Sequence, residues 1–304
     1  MMYHITIVLL HYKAYLQLEK SLERLQEIEI PKNTKIQVVV VDNDSNKESL
    51  SKIEKRFPPT IFLSQRENVG VPAGFNYGYR YAYNNGADFI MMLSPDLLME
   101  KDVISKLLDA MIQDPQIGIA STKMLLRTRP PRIFFVAGVL DKRRKSAKHV
   151  GLNEIDKGQY DNVVETEFVN CPLLIRREVF KKVGYFRPEF FMYYEDIDWH
   201  LRIRRAGFKL VCVKDAISWN MQPDKRDKVY PIKEYYNARN LLYFVTWNFS
   251  IKTRVVAYMY TFKEAIALFV NILENKESEK AYCKLLGMYD FLRGKKGKRV
   301  GISS

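Results

Sequence analysis

The chain has 304 residues, 47% hydrophobic and 28% charged, which excludes a disordered or fibrous polymer and suits one large domain with an appendage. Lysine and arginine number 49 against 35 acidic residues, and the net charge of +14 favours an anionic partner: nucleic acid, an anionic membrane face or a phosphorylated substrate. Isolated Cys171, Cys212 and Cys283, with His4, His11, His149 and His200 at no metal-ligand spacing, argue against a disulfide framework and a zinc site.

The first segment, MMYHITIVLLHYKAY, has an apolar part too short for a membrane span and no cleavage site. It reads as a buried strand over 5–12 in a cytoplasmic chain. Leu16, Leu18, Leu22, Leu25 and Ile28 then give a helix one apolar face. IQVVVVD (36–42) predicts a strand covered on both faces, ending in the polar turn DNDSN. SLSKIEKRF (49–57) reads as a helix and TIFLS (60–64) as a third strand. QRENVGVPAGFNYGYRYAYNNGA is a loop feeding a helix rich in small residues. DFIMML (88–93) is a fourth strand ending in SPD, followed by an amphipathic helix and a short strand, IGIAS (117–121). This alternation indicates an α/β fold with a parallel sheet and right-handed crossovers. Ligands in such sheets sit beyond the carboxyl ends of the strands, so Asp42 and Asp96 share one rim.

Residues 127–165 read as basic and loop-like. FMYYEDIDWHLRIRR (191–205) then places Glu195, Asp196 and Asp198 behind an aromatic run. Two roles compete for these carboxylates: accepting orphan N–H bonds in a first helical turn, or holding a proton acceptor at a partly desolvated rim. A strand follows at FKLVCV (208–213), and beyond about 231 the chain reads as helical. RVVAYMYTFKEAIALFVNILENKE (254–277) is interrupted by Lys263, Glu264 and Asn271, which fits a helix lying on a surface better than one crossing a bilayer. The tail RGKKGKR is strongly basic.

Taken in order, these segments resemble glycosyltransferase family 2, the inverting, nucleotide-sugar-dependent type with the GT-A fold, and within it the bacterial rhamnosyltransferase-like branch. VVVVDNDS (38–45), RENVGVPAGFNYGYRYA (66–82), MLSPD (92–96), the segment 173–210 with its Glu-Asp-x-Asp at 195–198, YYNARNLLYF (235–244) and FLRGKKGK (291–298) carry the resemblance. Each motif alone is weak; the ordered set is specific.

The resemblance implies a GT-A catalytic domain over 1–230 and a helical region over 231–304 that docks on a membrane or a partner. It implies a dTDP- or UDP-sugar donor and a saccharide or lipid-linked acceptor, with no nucleic acid. Asp42, Asn43, Arg66, Asn68, Gly70, Asn76 and Asp96 are the expected donor-binding residues, and Asp42 would meet the N3–H of uracil or thymine. Asp96 would hold Mg²⁺ or Mn²⁺ against the diphosphate. Asp196 is the expected base, with Glu195 and Asp198 orienting acceptor, base or helix start.

Two departures stand out. The metal-binding Asp-x-Asp is reduced to Ser94-Pro95-Asp96, and ISWNMQ (217–222) has Trp219 and Asn220 where a histidine is usual beyond the last strand. Metal affinity is therefore expected to be weak, with Arg127, Arg129, Arg132, Arg239 and the 142–148 cluster as candidates to share the diphosphate charge. A degenerate sugar-nucleotide binder and a basic nucleic-acid module are the competing readings; no helix-turn-helix, zinc-finger or RNP-like pattern accompanies the charge.

Overall fold

The computed structural model describes residues 2–43, 47–141, 143, 145–160, 164–220, 231–273 and 278–299. In the first half β1 (Tyr3–His11), β2 (Thr34–Asp42), β3 (Ile61–Ser64) and β4 (Phe89–Leu93) alternate with α1 (Tyr15–Leu25), α2 (Lys47–Arg56) and α3 (Val71–Asn84). The four strands are parallel, with β1 between β4 and β2. Their continuous apolar runs follow from burial on both faces: Ile5, Ile7 and Leu9 enter one core and Val8 the other. The small residues of α3 let it lie directly on the sheet. A Cβ on Gly74 would come within 2.5 Å of Leu10, and one on Gly78 within 2.4 Å of Val8.

The next stretch contains β5 (Leu97–Met99), α4 (Val103–Gln113), β6 (Ile117–Leu126), β7 (Arg132–Phe135), β8 (Ala137–Leu140), β9 (Ala147–Val150) and β10 (Val164–Glu165). It continues through β11 (Leu173–Arg176), α5 (Arg177–Val183), a single 3₁₀ turn (Pro188–Phe190), α6 (Glu195–Arg205) and β12 (Lys209–Asn220). Among the described residues the main sheet runs β10-β12-β6-β11-β4-β1-β2-β3, with β5 against β12 and β7 against β6. It is mixed rather than all parallel, because β11 lies antiparallel between β4 and β6. The expectation of a basic loop over 127–165 is corrected: β7, the β8–β9 hairpin and β10 lie there. Segments of two to four residues are too short to show alternation.

Among the described residues three helices follow: α7 (Pro231–Asn248), α8 (Ile251–Leu273) and α9 (Ser278–Leu292). Tyr243, Phe244 and Val245 of α7 pack with Phe190, Tyr194 and Ile197 beside α6. Among the described residues no helix is long and apolar enough to cross a membrane. The basic tail is not free. Tyr243 Oη donates to the Lys295 carbonyl at 3.0 Å, the Arg299 amide donates to Tyr236 Oη at 2.8 Å, and Lys295 and Arg299 both pair with buried Asp290 at 3.2 Å. The boundary expected near 230, and part of the 254–277 helix, fall outside the described residues.

Candidate active site

Parallel pairing of β1, β2 and β4 brings His11, Asp42 and Leu93 to one edge of the sheet, and the residues after them build a cleft. Asn43, Asn68 and Gly70 form its first wall as a small knot. The Asn43 amide donates to Asn68 Oδ1 and to the Gly70 carbonyl, each at 3.2 Å, while Asn68 Oδ1 accepts the Gly70 amide at 2.9 Å. Asn43 Oδ1 accepts the Val69 amide at 3.0 Å. These bonds fix the loop that begins α3. Opposite them stands Asp96, whose carboxylate accepts a hydrogen bond from the Ser94 hydroxyl. The cavity so enclosed has a volume of about 510 Å³.

Asp42 is 3% exposed and lies one residue behind the wall that Asn43 forms. Two expected donor residues stand elsewhere. Arg66 is exposed and forms no part of the cavity wall. Asn76 is buried and clamps α3 to the loop before the 3₁₀ turn, donating to the Phe186 carbonyl at 2.9 Å and accepting its amide at 3.0 Å. Its amide group satisfies buried backbone rather than a ligand.

The far wall is the start of α6. Glu195 and Asp196 line the first cavity and also a second one of about 640 Å³. Asn170 is likewise common to both. The second cavity is also lined by Ala147 and His149 of β9 and by the C-terminal helices, with Glu234 and Asn237 from α7, Thr261 and Glu264 from α8, and Lys284 from α9. Two clefts of ligand size thus meet at one carboxylate pair.

The backbone feeding this pair is held from a distance. Phe191, Tyr193 and Tyr194 have φ of 66°, 64° and 73°, a left-handed conformation that costs a non-glycine residue on the order of 1–2 kcal/mol. Asn240 of α7 donates to the carbonyls of Phe190, Met192 and Tyr193 at 2.9, 2.7 and 2.9 Å. Arg239 adds a bond to the Phe190 carbonyl at 3.1 Å and one to Gly297 at 2.8 Å. Arg239, expected to share the diphosphate charge, is 1% exposed and serves this brace instead. Trp219, in the place of the missing histidine, lies within β12 and donates its indole N–H to Glu100 at 2.7 Å.

The carboxylates divide their work by helical position. Asp196 accepts the Ile197 amide at 2.8 Å, so it meets an orphan donor of the first turn while facing both clefts. Burial raises its pKa from the ordinary carboxylate range. Burial, and then the charge of Asp196, push Glu195 up to about 8. Burial and the neighbouring carboxyl thus both favour the protonated form of Glu195. Asp198 does not join them. It is fully buried, bound by Arg187 at 2.6 Å, Arg202 at 2.9 Å and Asn248 at 2.7 Å, and lines neither cleft. Of the roles expected for it, orienting acceptor, base or helix start, these contacts fit the last: Asp198 anchors the start of α6.

His200, not singled out from sequence, lines the first cavity one turn beyond Asp196. It is fully buried, and burial together with Arg202 lowers its pKa to about 3, leaving a neutral ring. Neither ring nitrogen has a protein hydrogen-bond partner, and the same holds for Glu195 Oε2. Polar atoms lining a cleft in this state suit a bound solute. The i, i+4 spacing from Asp196 was the available signal.

A divalent cation fits the site only as a shared ligand. Among the described residues no three His, Cys, Asp or Glu side chains gather as a metal cluster. Asp96 with the neighbouring Ser94 hydroxyl supplies one hard oxygen donor in the cleft. Mg²⁺ is commonly held by one or two carboxylates plus substrate phosphates, and this set matches that pattern.

The family model described as "Glycosyl transferase family 2" matches residues 6–184. A low-salt glycan biosynthesis hexosyltransferase of Haloferax volcanii is 26% identical over 241 residues, covering 78% of this chain and 73% of that one. A dTDP-rhamnosyl transferase of Shigella flexneri is 25% identical over 214 residues, 67% of this chain and 68% of its own. Among solved structures, a mannosyltransferase from Pyrobaculum calidifontis in complex with GDP-Man and Mn²⁺ superposes with a TM-score of 0.58 at 15% identity, over 96% of this chain and 87% of that one. That likeness shows the GT-A fold. With the family model spanning more than half of the chain, the protein belongs to glycosyl transferase family 2 and is a glycosyltransferase.

Proposed function

We propose that the protein transfers a hexose, with rhamnose the first candidate, from a dTDP- or UDP-sugar to a saccharide or lipid-linked saccharide during cell-surface polysaccharide synthesis. The dTDP-rhamnosyl and hexosyl relatives support the sugar class, and the fold supports a nucleotide donor. One observation carries the reading: Asp196 stands where two cavities meet. In it the donor fills the first cleft, with Asn43, Asn68 and Gly70 around the nucleotide sugar. The acceptor fills the second.

The acceptor oxygen attacks the anomeric carbon from the side opposite the diphosphate, and Asp196 takes its proton. The bond from that carbon to the diphosphate oxygen breaks, its electron pair leaves with the nucleoside diphosphate, and the configuration inverts. Neutral Glu195 adds no second negative charge beside Asp196 and donates a hydrogen bond to substrate. Asp96 would hold Mg²⁺ or Mn²⁺, which when bound neutralises charge growing on the leaving diphosphate. We place the reaction at the cytoplasmic face of the membrane and assign Asp42 to the base of the nucleotide.

The test is a panel of dTDP- and UDP-sugars screened by thermal shift, followed by donor hydrolysis with and without Mn²⁺. The reading requires one donor to raise the melting temperature and to turn over. Binding without turnover of any donor supports the non-catalytic alternative.

A further inference from the structure

One face of α8 is exposed among the described residues. Its inner side is occupied: Ala257 is buried, Tyr258 meets the Phe291 ring of α9 at 6.1 Å, and Glu264 pairs with Lys284 at 3.3 Å. Thr261 and Glu264 on this side help enclose the second cavity. The opposite side exposes Val255, Met259, Phe262, Ile266 and Phe269, with Met259 at 58%, Phe262 at 67% and Phe269 at 57%. A continuous apolar stripe on one helix exceeds the scattered exposed side chains of an ordinary surface.

Two occupants fit such a stripe, a second copy of the helix and a lipid surface. The alternating four- and three-residue spacing suits a helix pair, but the charges do not. Lys252 and Lys263 are exposed on α8, and Glu264, the sole acidic residue in its sequence, is engaged with Lys284. Symmetric pairing would bring lysines together without the carboxylates that order coiled-coil flanks. An apolar stripe flanked by lysines matches an anionic bilayer interface, and the net charge of +14 acts in the same direction.

We infer that α8 lies in the headgroup region of an anionic membrane, with its inner side forming the acceptor cleft. One helix then joins the membrane to the second cavity, and a sugar carried on a lipid-linked diphosphate reaches Asp196 without leaving the surface. The identity of the acceptor rests on the proposed function; the docking itself does not.

The experiment is sedimentation of the full chain with vesicles of phosphatidylglycerol and phosphatidylcholine, against phosphatidylcholine alone, at low and high salt. A Phe262→Asp, Phe269→Asp variant is run beside it, and both proteins are sized without lipid by light scattering. Docking predicts binding to phosphatidylglycerol vesicles at low salt, weakened at least about tenfold by high salt and by the double substitution. No binding at low salt, binding indifferent to the substitutions, or a lipid-free dimer that they dissociate overturns it. Calorimetry with dTDP on the same preparations reads the functional proposal separately. A chain that binds vesicles and no nucleotide keeps the docking and loses the donor assignment.

Discussion

The Val71 amide donates to the carbonyl of Phe191 at 2.7 Å, joining the start of α3 to the loop that delivers α6. Gly70 makes this contact possible. Its φ is +86°, and a Cβ there would lie 2.4 Å from the Phe191 oxygen. The glycine therefore serves a backbone-to-backbone approach inside the protein as well as lining the first cleft. Gly70→Ala is expected to cost on the order of 1–3 kcal/mol of stability and to weaken nucleotide binding and transfer together. Denaturant unfolding and calorimetry with dTDP check it; an unaltered melting curve with normal affinity refutes the contact.

Asp196→Asn keeps the size of the side chain and removes the proton acceptor. Transfer should fall at least about a hundredfold while dTDP affinity stays near that of the parent. Near-parental turnover would remove Asp196 from the role of base.

Glu195 gives the reaction a pH signature. With its pKa raised to about 8, it ionises on the alkaline side and puts a second negative charge beside Asp196 and the diphosphate. The transfer rate should decline above about pH 8, and Glu195→Gln should abolish that decline. Stability follows the same group. The folded state keeps a proton that the unfolded chain releases near 4.5, so this contribution is complete below 4.5 and is lost as pH rises through 8. Over that window the glutamine variant gains on the parent. Parallel pH–rate and pH–stability curves for the two proteins decide the matter.

Asp96→Ala should remove the Mn²⁺-dependent part of dTDP affinity and leave the metal-free part nearly unchanged. Calorimetry with and without Mn²⁺ measures both. Equal losses under the two conditions would deny the residue a role at the metal.

Asp198 predicts the opposite phenotype to Asp196. Removing it strands two arginines and an asparagine around a buried position, and breaking a buried ion pair of this kind costs about 3–5 kcal/mol. Asp198→Ala should therefore unfold at much lower denaturant, while its folded fraction still binds dTDP. A stable but inactive Asp198→Ala protein would return this carboxylate to the chemistry.

The strands that carry the rim were legible because doubly covered strands are written as runs of Val, Ile and Leu, as in 5–10 and 36–41. The acidic first turn behind aromatic residues marked Glu195, Asp196 and Asp198 as candidates with two competing roles, and the family resemblance alone singled out Asp196 as the expected base. Its separation from Asp198 was written there too, since residues two apart do not share a helix face and Asp198 has Arg202 four residues on. Other features depend on distance along the chain. Asn76 meets Phe186 across 110 residues, and Asn240 meets Phe190 across 50, so no local pattern announces either. The strands β7 to β10 were hidden by their shortness.

The bonds from Asn240 and Arg239 to the 190–193 carbonyls have a consequence for how the enzyme loses activity. Cooperative units of a protein open separately, with free energies from near zero up to the global value. Opening of α7 would withdraw the donors that hold three left-handed residues in place, and the loop would relax toward ordinary φ values. The sheet and its nucleotide-facing wall would remain folded through such an event. Inactivation on warming is then expected as a sub-global transition that precedes melting of the sheet, in which the cleft wall at Asn43 and Asn68 persists while Glu195 and Asp196 lose their positions.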